Sequence, residues 1–85
     1  MDGWIDRLAE AFGEEPLSGN ETDELLSAAR DVAHRVERRI TPLAAFLAGI
    51  GAGRARAGGA SHAEAVAGAV ALLRSALPAG DEATP

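Results

Sequence analysis

Thr41-Pro42-Leu43-Ala44-Ala45-Phe46-Leu47-Ala48-Gly49-Ile50-Gly51-Ala52-Gly53 carries no charged residue, in a chain that is 25% charged. A helix with no polar face belongs inside a protein. The stretch is too short to span a bilayer, which takes about 20 apolar residues. It therefore reads as the central helix of a small bundle. Pro42 suits the first helical position after a capping Thr41 and cannot continue an earlier helix, so helix 3 starts there and runs over about 42–56. Leu43, Phe46, Leu47 and Ile50 form one stripe. Ala45, Gly49 and Gly53 form a second, small stripe. Three glycines in five residues weaken a helix, so either another backbone passes very close or the helix ends early.

The segments on either side are amphipathic. Before the stretch, Leu25, Leu26, Ala29, Val32, Ala33, Val36 and Ile40 make the apolar arc of helix 2, over about 21–39, with Asn20 or Thr22 as its cap. After it, Ser61-His62-Ala63-Glu64 is a capping box that opens helix 4, over about 62–77. Helix 1, about 2–12, places Trp4, Ile5, Leu8, Ala11 and Phe12 on one face, with Gly13 as its stop and Trp4 as a core anchor. An exposed Trp4 that reads a partner is the alternative. Pro16 and Ser18-Gly19-Asn20 make a connector. The fold class predicted is all-α: a compact four-helix bundle of up-down type with an apolar central third helix, one domain over 1–78 and a disordered tail over 79–85.

Composition agrees. Of 85 residues, 20 are Ala, and aromatic residues are only 4%. Alanine favours helices, and the shortage of β-branched and aromatic side chains argues against a sheet. With no Cys there is no disulfide scaffold, thiol nucleophile or Cys-based metal site. No signal peptide is visible, so a cytoplasmic protein is expected. The net charge of −5 disfavours nucleic acid and anionic membrane as partners. The charge is uneven. Through Glu24 there are eight acids and one base; from Arg30 to Arg56 there are six Arg and two acids. Arg54 and Arg56 are expected to approach Asp23 and Glu24 at the start of helix 2.

Asp31, His34, Arg35 and Arg38 form the one compact polar cluster. An imidazole flanked by a carboxylate and guanidinium groups suits binding of an anion, or proton transfer by His34 and Asp31. The ordinary reading is a solvated helix face held by i,i+3 and i,i+4 pairs. His34 and His62 with a carboxylate make a poor metal set, so no metal and no cofactor are expected. Helix 3 lacks side chains that could read bases, which argues against a helix-turn-helix.

The stretch Arg30 to Gly53, sharpest in Asp31-Val32-Ala33-His34 and in the spacing of Pro42, Leu43, Phe46, Leu47 and Gly49, resembles a small bacterial all-helical family of unknown function. Its members stand alone or form a C-terminal extension of molybdenum-cofactor guanylyltransferase. The resemblance covers about residues 2–77. It implies a link to assembly or delivery of the molybdopterin guanine dinucleotide cofactor and no established activity. The chain has no room for the transferase fold itself.

The function expected is a non-catalytic accessory or protein-interaction module, with the guanylyltransferase or a molybdoenzyme as partner. Its contacts would run through the outer face of helix 2, or through the small faces Ala45/Gly49/Gly53 and Ala67/Gly68/Ala71, which also suit a homodimer. The alternative is a domain that binds a nucleotide or pterin phosphate through His34, Arg35 and Arg38.

Overall fold

A computed structural model describes residues 2–79, so the tail expected from Ala79 falls, but for its first residue, outside the described residues. The chain forms four α-helices: α1 (Asp2–Ala11), α2 (Gly19–Arg35), α3 (Thr41–Ala57) and α4 (His62–Ala76). A single 3₁₀ turn, Arg38–Ile40, joins α2 to α3. No strand occurs among the described residues. The all-α, four-helix class follows from the alanine content and the capping signals already noted. No helix among these residues is long and apolar enough to cross a membrane.

Local chemistry sets the ends. The Ser61 hydroxyl accepts from the Glu64 N–H at 3.1 Å, and the Ser61 N–H donates to Glu64 Oε1 at 2.9 Å. That is the capping box expected for α4. A second box opens α2 earlier than Asn20 or Thr22: Ser18 and Glu21 exchange the same two bonds at 3.0 and 2.9 Å. Two reciprocal bonds satisfy two orphan donors, where a lone Asn or Thr cap satisfies one. Gly13, at φ +71°, ends α1 as expected. Its N–H donates to Glu10 O and that of Glu14 to Ala9 O, both at 2.9 Å, a pattern that needs a left-handed residue. Gly59, at φ +111°, closes α3 by the same pattern.

Helix α2 stops at Arg35 rather than near Arg39. A helix running unbroken into Pro42 would drive the proline ring against the carbonyl four residues back. The break comes upstream instead, at Val36 and the extended Glu37. Pro42 then falls within the first turn of α3. Ile40, not Thr41, is the N-cap residue, and no side chain caps α3.

Helices α2 and α4 run parallel, with α3 antiparallel and packed against both. The register is visible in two cross-helix pairs: Glu21 meets His62 near the helix starts, and Asp31 meets Arg74 farther along. The buried core is small: Ala28, Val32, Ala65 and Val70. Small side chains let the axes approach, which agrees with the composition.

Three expectations meet a different outcome. Trp4, 52% exposed, is not a core anchor, and Ile5, Leu8 and Phe12 are exposed with it. Helix α1 makes little contact with the other helices; Ala9, in its last turn, faces them. The apolar stretch of α3 also contributes no buried residue; Phe46 is 69% and Leu47 67% exposed. Helix α3 is central in order and packs between two neighbours, but nothing among the described residues covers its outer surface. Nor does another backbone come close to its glycines. A Cβ added at Gly49, Gly51 or Gly53 would meet nothing within 4 Å, and α3 nonetheless runs on to Ala57.

Candidate functional site

The apolar faces that α1 leaves uncovered enclose a groove of about 760 Å³ between α2, α3 and α4. Its walls are Leu25, Leu26 and Ala29 from α2, Phe46, Gly49 and Ile50 from α3, and Val66, Ala69 and Leu73 from α4. Glu14, Glu15 and Leu17 of the connector line it too, as do Ala9 and Phe12. Thr41 also lines the groove, and its hydroxyl is buried without a hydrogen-bond partner. A second, smaller cleft of about 460 Å³ lies between α3 and α4. Leu47, Gly51, Gly68 and Leu72 line it. Leu72 is 71% exposed.

The two small-residue faces expected to pack closely meet different surroundings. Ala45, Gly49 and Gly53 line the groove but stay exposed. On α4, Ala67, Gly68 and Ala71 are all exposed. Helix α4 turns Ala65, Ala69 and Leu73 toward its neighbours. At about 100° per residue, that carries Ala67 and Ala71 round to the opposite, solvent side. Gly68 lies at the flank and reaches the cleft, whereas Ala67 and Ala71 line neither the cleft nor the groove.

The polar cluster read on helix 2 is only partly assembled. Asp31 turns to α4, where Arg74 Nη1 donates to its Oδ2 at 2.6 Å. Arg74 Nη2 also donates to Ser27 Oγ at 2.9 Å. His34 and Arg35 are exposed and make no side-chain hydrogen bond among the described residues. Arg38 lies beyond the break in α2, so the helical i,i+4 pairing of His34 with Arg38 does not form. Arg39 pairs locally with Glu37 at 2.8 Å. The expected approach of Arg54 and Arg56 to Asp23 and Glu24 is also not made. Arg56 stands 3.6 Å from Glu15 instead, because the connector rather than the start of α2 occupies that end of α3. Among the described residues no three His, Asp or Glu side chains converge as a metal site.

Sequence reasoning missed the second polar pair. His62 Nε2 lies 3.2 Å from Glu21 Oε1, and both side chains are only 14% exposed. The signal was available: two Ser-x-x-Glu boxes start α2 and α4, and parallel packing then puts the third residue of one beside the first of the other. The Ser18 N–H bond, then His62, hold the Glu21 carboxyl below its usual 4.5, against the opposing pull of burial. A depressed carboxylate stabilises the fold fully above its unfolded pKa, and that contribution disappears as pH falls through the folded value. Glu21→Gln should therefore lower the melting temperature at pH 7. The gap from the parent should shrink below about pH 4 in a thermal series read by circular dichroism. A gap that persists at acid pH would place the loss in packing rather than charge.

The groove and the cleft offer apolar surface with few polar groups. Such surface suits a protein or other apolar partner better than a charged small molecule.

Neither the curated proteins nor the solved structures contain a match to this chain. The family model of a domain of unknown function matches residues 1–84. The chain accordingly belongs to the DUF6457 family, a domain of unknown function.

Proposed function

We propose that this chain is a non-catalytic protein-interaction module that works in the cytoplasm beside the molybdenum-cofactor pathway. The observation that carries the reading is the outer surface of α3 and α4, where Leu43, Leu47 and Leu72 are each more than half exposed. A soluble domain rarely leaves so much contiguous apolar surface without a partner for it. The α3–α4 cleft beneath Leu47 and Leu72 would take an apolar side chain of that partner, with Gly51 and Gly68 leaving room for a close approach. The pathway rests on the resemblance carried by Arg30 to Gly53. It gives as partner a molybdenum-cofactor guanylyltransferase or a molybdoenzyme. The anionic-ligand reading has less support, since Arg74 engages Asp31 and the break in α2 separates Arg38 from His34.

Co-purification from native extract with the tagged protein tests this. Recovery of a guanylyltransferase or molybdoenzyme is expected, lost in the Leu47→Glu/Leu72→Glu variant and kept in His34→Ala/Arg38→Ala. The reverse pattern would move the contact to helix 2. Recovery of neither enzyme would remove the pathway.

A further inference from the structure

We propose that α1 of a second copy of this chain seats in the groove between α2, α3 and α4, and reciprocally, so that two copies exchange their first helices. This goes beyond the partner reading and uses a different face.

The chain carries both halves of such a contact. Helix α1 and Phe12 just after it have an apolar face, with Trp4, Ile5 and Leu8, that its own copy leaves exposed. The groove is an apolar trough with no helix lying along it. Their lengths agree: the ten residues of α1 span about 15 Å, and α3 from Thr41 to Gly53 spans about 18 Å. An amphipathic helix in an apolar groove is a recurring mode of recognition. In a two-fold pair the same contact forms twice, so both grooves fill together.

The path of the chain favours exchange over closure on itself. Glu15 of the connector lies near Arg56, at the far end of α3, and of α1 itself only Ala9 lines the groove. The residues before Ala9 leave the groove and carry Trp4, Ile5 and Leu8 away from it.

A folded monomer of 8.7 kDa exposes about 4,700 Å², and this chain exposes 6272 Å². The surplus exceeds the roughly 800 Å² that each partner contributes to a standard interface.

The chain has no cysteine, so introduced thiols report without background. The test is the full-length Leu8→Cys/Ile50→Cys variant treated with a short bismaleimide, beside light-scattering masses of the parent and of Phe46→Glu. Exchange predicts a cross-link between chains and a parent mass twice 8.7 kDa. It also predicts that Phe46→Glu halves the mass while keeping its helical circular dichroism, since Phe46 is exposed within one copy. A cross-link within one chain at single-copy mass would show α1 closing on its own groove and overturn the proposal. A doubled mass without the cross-link would mean pairing through another face, and also overturns it. A single-copy mass without any cross-link does so too, and leaves the groove to a different protein.

Discussion

Val32→Asp is expected to abolish the cooperative thermal transition. Val32 is 2% exposed and is the one side chain larger than Ala that is essentially fully buried. It belongs to a core of four small apolar residues, none of which offers a carboxylate a side-chain hydrogen bond. An isolated carboxyl there must either stay charged in an apolar setting or take up a proton, and both cost free energy. A loss of about 4 kcal/mol or more is expected, in the range reserved for buried, unpaired charge. A chain of 85 residues has about 4–13 kcal/mol of stability in all. Val32→Ala, which only shortens the side chain, should cost about 2 kcal/mol and keep a transition at lower temperature. Circular dichroism melts of the three proteins make the comparison. A Val32→Asp protein that still melts cooperatively near the parent would show that the site opens to water.

Arg74→Ala should lower stability by about 1–2 kcal/mol, or roughly 5–10 °C in melting temperature. Arg74 ties α4 to α2 twice, through Asp31 at 2.6 Å and Ser27 at 2.9 Å. Charge-assisted hydrogen bonds are stronger than neutral ones, but about a third of each charged side chain remains open to solvent, which weakens the pair. A cycle of Arg74→Ala, Asp31→Ala and the double variant should give a coupling near 1 kcal/mol. That coupling should shrink in 1 M salt, where the screening length is about 3 Å. Zero coupling with an undiminished single-variant loss would assign the effect to the packed stem of Arg74 instead.

How much of this was legible depends on where the information sits. Local rules carried the α4 start at Ser61, the α1 stop at Gly13 and the punctuation at Pro42, because each depends on residues a few positions apart. The Ser18 box was equally local, but Asn20 and Thr22 drew the reading past it. What sequence periodicity could not give was which apolar faces meet. The face of α1 is as regular as that of α2, and α3 is apolar nearly all round, yet among the described residues only α2 and α4 supply buried ones. Periodicity tells that a face seeks cover; it does not tell which chain covers it. The small face of Ala67 and Ala71 shows the converse, since small side chains permit close packing without requiring it. The polar cluster failed for a related reason. On helix 2 alone, Asp31 has His34 and Arg35 as neighbours. Arg74, 43 residues away, reaches it only once α2 and α4 lie parallel.

The small core reverses a familiar rule. In most domains the bulky apolar residues are the ones that folding cannot spare. Here the alanines at 28 and 65 are buried, and a larger side chain at either must push its neighbours aside. Phe46, Leu47 and Leu72 can change without disturbing that arrangement. A saturation scan scored on the melting of one isolated copy would therefore rank Ala28 above Phe46. The same scan scored in the cell should invert that order, and the residues that trade places between the two rankings would mark where this domain meets other molecules.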